Sequence, residues 1–519
     1  MSTAHDKLRE ACLSAATEIL TECTEILASD QTIQNDSAQP KLDRKEGHEV
    51  ADCGDALVQL LARQASVVRD IFSHDGKHPD SSADDKKQAA RLHLARKRLD
   101  DLLATAYARF YAYLYSALPL CWRVLYTDAS ILKFSLLFLS QQQSQSPPLL
   151  PGAPAPSEED KNQALDEMIK TLDMAIILAG AAGTIRGRAW IDAAFDLLEE
   201  ASQSQSSSSS STRHSTTTPP WESSSSPSFS PHEPFTPPVT HPIRRIPSSC
   251  LSLSAFQSHL DTPSGPSGPE PLIITNLTST WPAATTNPWH KPSYLLSRTF
   301  SGRRLVPIEI GRSYTDANWT QRILPFHTFL SQYITSSSSS SSSSEKGYLA
   351  QYSLLAQLPQ LRKDILIPDY VYTTPPPKME EGEGMELDEP IINAWFGPAG
   401  TITPLHTDVW HNILVMVVGR KYVRLYAPGE TERLKPMGRT EGGVEMGNTS
   451  SVDVGRVEGW DCKEEEEGEG EEKGEEDDIK QAEFVDCILE DGDGLYIPAG
   501  WWHYVRGLSV SFGVSFWWN

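Results

Sequence analysis

The ten residues "TPLHTDVWHN", Thr403 to Asn412, hold two histidines and one aspartate within six positions: His406, Asp408 and His411. On a strand, residues two apart project to the same face, so His406 and Asp408 could reach one ion together. His411 falls at odd spacing from His406, and a continuing strand would turn it away. A third ligand has to come from elsewhere. The best placed is His503 in "IPAGWWHYVRG", where a strand ending "LYIP" delivers a histidine among tryptophans. Two imidazoles and one carboxylate, with the opposite positions open, make the facial triad with which non-haem Fe(II) oxygenases work.

The elements that must position these residues are strands. From residue 249 onward, "PLIITNL", "RLVPIEIG", "INAWFG", "NILVMVVG", "KYVRLYAP", "GLYIPAG" and "LSVSFGVSFWW" are short and rich in β-branched and aromatic residues. Gly, Pro or Asp turns bound them. "VVGRKYVRLY" reads as a hairpin, and "LSVSFGVSF" alternates as a strand between two environments should. Many short antiparallel strands point to a β-sandwich or barrel of jelly-roll or cupin type. Residues 1–201 read differently. "ALVQLLARQASVVRDIF", "LDDLLATAYARFYAYLYSAL" and "ALDEMIKTLDMAIILAGAAG" space apolar residues by three and four, and "ILKFSLLFLS" reads as a buried helix.

The expected organisation is therefore α+β and multidomain. A helical domain spans 1–201, with a Pro-rich loop at about 145–159. A Ser/Thr/Pro-rich linker over 202–248 is expected to be disordered, since it cannot bury enough apolar area to offset its ordering entropy. The domain carrying the triad spans 249–519, with low-complexity inserts at 335–345 and 455–480 that should loop out.

Composition narrows the function. A chain of 519 residues has room for two or three domains. A net charge of -24 argues against a chain-wide nucleic-acid binder, which needs clustered Lys and Arg. Much of that charge sits in "KEEEEGEGEEKGEEDD", Lys463 to Asp478. The seven cysteines are scattered, with no CxxC pair, and form neither a disulfide framework nor a zinc ribbon; a reducing intracellular compartment fits them. "MSTAHDKLREACLS" lacks the pattern of a secretory signal, and no apolar run of about 18 residues predicts a membrane span. "ARKRL", Ala95 to Leu99, reads as a solvated helix face rather than a nuclear signal.

"NAWFGPAGTITPLHTDVWHNILVMVVGRKYVRLYAP" and "DGLYIPAGWWHYVRGLSVSFGVSFWWN" resemble the Jumonji-C (JmjC) domain. The nearest likeness is to the protein-hydroxylase subgroup typified by lysine-specific demethylase eight, also described as an arginyl hydroxylase. "VPIEIGRSYTDANW" and "YLAQYSLLAQLPQLRKDILIPDY" extend the likeness upstream, and the helical region around "PLCWRVLYTDASILKFSLL" extends it more loosely. The resemblance implies a double-stranded β-helix, Fe(II) at His406, Asp408 and His503, and 2-oxoglutarate with dioxygen as cosubstrates. It implies Lys421, fifteen residues after His406, as the cation for the far carboxylate of 2-oxoglutarate. A buried lysine is otherwise costly unless it meets an anion. Tyr348, Thr403 and Asn412 match positions that hydrogen-bond the cosubstrate.

Glu309 and Tyr314 match positions near the substrate side chain, with Trp395 and Trp517 as aromatic walls. A carboxylate and aromatic faces suit a guanidinium. The expected activity is hydroxylation of arginine in a protein or peptide, with demethylation of histone methyl-lysine as the alternative from the same iron centre. The resemblance also implies an intracellular protein of the nucleus, the cytoplasm or both, with no nucleic acid or membrane as direct partner. Gly447 stands where the resemblance leads one to expect a histidine, which leaves substrate preference open. Two other classes compete. A catalytically silent cupin scaffold would have lost a triad residue or Lys421, and a zinc-dependent cupin isomerase would have no use for Lys421.

Overall fold

The computed structural model describes residues 3–33, 49–73, 82–114, 117–145, 157–208, 228–262, 268–316, 318–335, 345–376, 386–439, 445–461 and 479–519. Two compact units emerge: Met1–Ser215 with Arg303–Leu305, and Thr216–Gly302 with Val306–Asn519. Among the described residues no helix is long and apolar enough to cross a membrane, and the cysteines form no disulfide.

The first unit is helical: α1 (Ala4–Ile33), α2 (Asp55–Phe72), α3 (Ser82–Phe110), α4 (Leu120–Gln145), α5 (Glu158–Ala179) and α6 (Gly187–Ser208). In α2, Val58, Leu61, Ala65, Val68 and Phe72 recur every three or four residues and form its buried stripe. Helix α5 starts where Ser157 and Asp160 cap each other's backbone reciprocally, and it stops at Gly180 in the left-handed conformation. Helix α4 is buried on most sides, through Leu125, Leu132, Phe134 and Leu139 among others. It also carries Asp128, which with Glu22 of α1 brackets the buried Arg186 guanidinium. Of the loop expected at about 145–159, residues 146–156 lie outside the described residues.

The second unit carries β1 (Arg245–Pro247), β2 (Leu272–Thr275), β3 (Leu305–Ile310), β4 (Thr320–Pro325), β5 (Gly347–Tyr352), β6 (Ile391–Gly397) and β7 (Ile402–His406). It continues with β8 (His411–Val418), β9 (Lys421–Tyr426), β10 (Phe484–Leu489), β11 (Gly494–Ile497), β12 (Trp502–Gly507) and β13 (Ser511–Trp518). They form a sheet ordered β1-β2-β11-β8-β13-β6-β5-β3-β4 and a second ordered β10-β9-β12-β7. Leu414, Met416, Leu495 and Ile497 of the larger sheet face Val423, Leu425, Cys487 and Val505 of the smaller across a shared interior. The outward residues are buried too: Ile413, Val415, Phe512 and Phe516 pack on Trp281 and Phe329, and Tyr422, Trp502 and Tyr504 form a third cluster. Strands β8, β9, β12 and β13 are buried on both faces, and in β8 this explains the unbroken apolar run from Ile413 to Val418. This is the double-stranded β-helix expected, with the helical region before it.

The expected linker over 202–248 differs from the structure at both ends. Helix α6 continues to Ser208, and residues 209–227 lie outside the described residues. Residues 228–247 are packed on the β unit. Phe229 is buried against Phe396, Glu233 holds Arg420 through paired bonds of 2.8 and 2.9 Å, and the chain from Thr240 to Ile243 runs along β10. The edge of β10 needs partners for its main chain, and this strap supplies them. The expected acidic insert at 455–480 is likewise shorter in the described residues. Asp461 pairs with Arg312 and Arg506 at 2.8 Å, and Ile479 is buried, so only residues 462–478 lie outside them. Of the serine-rich insert at 335–345, residues 336–344 lie outside them.

Candidate active site

Strand β12 lies between β9 and β7 and delivers His503 directly opposite His406, the last residue of β7. The two rings are 4.1 Å apart between centroids. Asp408 is not on the strand, as the two-residue spacing suggested, but in the turn after it, where its carbonyl accepts from Gly500 N at 2.9 Å. That bond ties the turn to the loop leading into β12. The carboxyl oxygens then lie 4.0 Å from His406 Nε2 and 3.7 Å from His503 Nε2. The three ligand atoms all fall within 4.8 Å of one another, within reach of one ion.

Both imidazoles are oriented by the same device. His406 Nδ1 lies 2.8 Å from the Pro404 carbonyl and His503 Nδ1 lies 3.0 Å from the Trp501 carbonyl, so each Nδ1–H donates and each Nε2 is left bare for a metal. Burial and the neighbouring His406 keep His503 well below the usual imidazole range. It is therefore neutral, the form that coordinates. Burial pushes the Asp408 carboxyl up. The residues fit a divalent cation.

The pocket beyond the triad is lined by Tyr348, Trp395, Thr403, Asn412, Lys421 and Val505. Lys421 is 1% exposed, and its amine donates to the Tyr348 hydroxyl at 2.9 Å. Among the described residues no carboxylate pairs with it. Burial pushes the amine down to about 7 and the Tyr348 phenol upward. The Asn412 carboxamide oxygen is also buried without a partner among the described residues. A buried amine with no carboxylate beside it among the described residues fits an anionic ligand.

Thr403 reaches this pocket through an irregularity that the sequence pattern does not announce. It lies three positions before His406, so a regular strand would point the two in opposite directions. In the pairing with β12, His406 faces His503, whereas Thr403, not Pro404, faces Val505. The extra residue is a β-bulge. Proline fits there because it cannot donate to the ladder.

The residues expected at the substrate end divide. Glu309 of β3 pairs in register with Tyr348 of β5 and so shares its face. Burial pushes its carboxyl up to about 7, against the opposing influence of Trp319. Tyr314 lies 3.4 Å from the Thr449 hydroxyl, and its phenol is raised by burial and by the charges of Glu309 and Asp408. Trp395 is half-buried in the pocket wall, its Nε1–H donating to Ser515 Oγ at 3.0 Å. Trp517 turns to the same interior but is covered by Trp410, the rings 5.5 Å apart, and so does not line this pocket. His411 faces away, its Nδ1 2.9 Å from the Tyr496 hydroxyl on the outer side of the sheet. Gly447 is exposed, in a segment that bridges to His406 through Thr449. Reasoning from the sequence missed Thr449 and Trp319. It also passed over Leu414 and Val505, which strand parity could have found two residues after Asn412 and His503.

A double-stranded β-helix in which two histidines and one aspartate converge beside a pocket with a buried lysine defines a cupin-type domain with a candidate metal site. Over residues 267–519 the chain matches the family model for a cupin-like domain. It is 40% identical over 289 residues to Lysine-specific demethylase 8 of Danio rerio, covering 56% of this chain and 62% of that protein. It is 41% identical over 249 residues to Lysine-specific demethylase JMJ30 of Arabidopsis thaliana, covering 48% and 50%. Jumonji C domain-containing protein 5 of Drosophila melanogaster is 34% identical over 289 residues, covering 54% and 63%. The chain thus spans less than two thirds of the length of each of these relatives.

Proposed function

We propose that residues 267–519 act as an Fe(II)- and 2-oxoglutarate-dependent dioxygenase on protein substrates, and that the reaction is hydroxylation of an arginine side chain. The observation that carries the cofactor assignment is Lys421, a fully buried amine with no carboxylate beside it among the described residues, on the wall of the pocket that holds the His406–Asp408–His503 cluster. A metal at the cluster and a dianion reaching Lys421 satisfy both ends of one pocket. His406, Asp408 and His503 would hold the metal; Lys421, Tyr348, Thr403 and Asn412 would hold the far part of the cosubstrate. When bound, Fe(II) and 2-oxoglutarate supply the oxidation, coupling insertion of oxygen into a C–H bond to decarboxylation of the cosubstrate to succinate.

Glu309 supports the choice of a basic side chain. It is a largely buried carboxyl that no Lys or Arg neutralises among the described residues, so an arriving guanidinium would restore its charge and gain a charge-assisted bond. Trp395 would give that planar cation a face to stack on. Demethylation of methyl-lysine is the second reading, favoured by the names of the relatives in Danio rerio and Arabidopsis thaliana.

Anaerobic titration with Fe(II) and 2-oxoglutarate tests the cofactor reading. A weak visible charge-transfer band is expected in the wild type and absent in His406→Ala; no band in a folded, metal-loaded wild type sinks the oxygenase reading. With peptides, arginine hydroxylation adds the mass of one oxygen, whereas demethylation releases formaldehyde. Glu309→Gln should raise the KM for an arginine peptide by about tenfold to 100-fold, the worth of one hydrogen bond to a charged group of about 1.5–3 kcal/mol. An unchanged KM removes Glu309 from substrate binding.

A further inference from the structure

The strap over residues 228–247 carries two hydroxyl residues followed by proline, Ser230-Pro231 and Thr236-Pro237. Both hydroxyl residues are exposed, and the chain from Pro231 to Thr240 forms neither helix nor strand. Prolines at 231, 234, 237 and 238 hold it extended, because each fixes its own φ and biases the residue before it. An exposed hydroxyl on extended chain, followed by a residue with no N–H, suits a proline-directed protein kinase.

What Thr236 touches sets it apart from Ser230. Its hydroxyl donates to Glu233 Oε2 at 2.7 Å, and the same carboxylate holds Arg420 through bonds of 2.8 and 2.9 Å. Arg420 also meets Glu490 at 3.3 Å, so one guanidinium already serves two carboxylates. On either side of this pair the strap is held by apolar contacts. The Phe229 amide donates to the His290 carbonyl at 2.9 Å and its ring is buried, while the Phe235 ring lies 6.0 Å from Trp460. Asp486 fixes the chain from Thr240 onward. Glu233 is therefore the charged anchor of residues 228–239.

We propose that Thr236 is a phosphorylation site whose phosphate displaces Glu233 from Arg420 and loosens residues 228–239, while Asp486 keeps the following residues on β10. The kinase would transfer the γ-phosphoryl group of ATP to Thr236 Oγ1. The bond from that phosphorus to the ADP oxygen breaks, the new O–P bond forms, and the hydroxyl proton passes to the kinase's base. The product carries about 1.5–2 negative charges at pH 7 where a hydroxyl had donated to Glu233. Glu233 and Thr236 lie three residues apart in one bend, so repulsion between phosphate and carboxylate is relieved by opening that bend. The two groups then cannot both face Arg420.

The test uses the full chain and a synthetic peptide of residues 228–243, each with a proline-directed kinase and ATP. Both carry Ser230→Ala, so that Thr236-Pro237 is the one such step left in the strap. Fragment masses locate the phosphate, and the rate of chymotrypsin cleavage after the buried Phe229 reports strap opening. Thr236 should take a phosphate in the peptide and, more slowly, in the full chain. Phosphorylation should then speed the cut about fivefold, the worth of one surface ion pair. Thr236→Val, which removes the hydroxyl without adding charge, should speed it by less than about twofold. Glu233→Gln should open the strap about as far as the phosphate does, and phosphorylating that variant should add nothing more. A full chain that takes no phosphate at Thr236, whatever the peptide does, overturns the site. A cut that is unchanged or slower after phosphorylation overturns the release. An undiminished gain on phosphorylating Glu233→Gln overturns the part given to the Glu233–Arg420 pair.

Discussion

Changing Lys421 to methionine should weaken 2-oxoglutarate binding by at least about 100-fold while leaving the ligand-free fold as stable as the wild type, or more so, near neutral pH. The amine is fully buried, its bond is to the neutral Tyr348 hydroxyl, and burial pushes it down to about 7 from an ordinary value near 10.5. In the unfolded chain the same amine is charged up to about pH 10.4. Between about pH 7 and that value the folded state binds fewer protons than the unfolded one, so ligand-free stability should rise with pH across this window. Methionine fills a similar length of wall without a charge, so the rise should disappear in the variant. In the wild type, a bound dianion would hold the amine protonated and flatten the slope as well. Thermal unfolding at several pH values, with and without 2-oxoglutarate, and calorimetric titration of the cosubstrate check both halves. A variant that binds the cosubstrate normally, or that loses the fold, defeats the assignment.

Asp486→Ala should destabilise the β unit by about 3–5 kcal/mol, the sum of two or three buried donors left without an acceptor. The carboxylate is fully buried and accepts from Thr240 N at 3.0 Å, His241 N at 2.7 Å and the Tyr422 hydroxyl at 3.0 Å. Arg424 Nε donates in turn to the Tyr422 hydroxyl at 3.0 Å, so the strap, the edge strand and the outer face of the small sheet meet at one side chain. The unfolding temperature should fall by roughly 10 °C, and protease should gain access to residues 228–247 before the rest of the unit opens. Asp486→Asn, which keeps an acceptor, should lose less. A fall of under about 2 °C in Asp486→Ala would mean that Phe229 and Arg420 hold the strap without it.

These two sites also mark what could be read in advance. The helices of residues 4–208 and the strands from Leu272 onward are legible because each depends on a local period, and the triad is legible because metal chemistry restricts the residue types. The strap is not. Its "HEPFTPPVTHP" has no period, and what orders it is a long-range edge and one buried carboxylate, invisible to composition. Residues 455–461 are misread for the same reason. Their acidity continues into a charged tract, yet Asp461 is neutralised by two arginines distant in sequence, Arg312 just after β3 and Arg506 of β12. Lys421 is legible only with the chemistry of a ligand in mind, since among the described residues no carboxylate neutralises it. Trp410 escapes notice because a tryptophan in a turn carries no signal until its partner Trp517 is known.

The bulge in β7 has a consequence for how this chain can vary. The serine tract from Ser336 to Ser344 and the acidic tract from Lys463 to Asp478 are low-complexity runs whose lengths can change by slippage during replication. The count of residues between Thr403 and His406 has no such latitude. With the bulge kept, one residue more or fewer would put the threonine and the histidine on opposite faces, and either the ligand or the hydroxyl would swing out of the pocket. Insertions and deletions in related chains should therefore accumulate in the two tracts and stop short of these four positions.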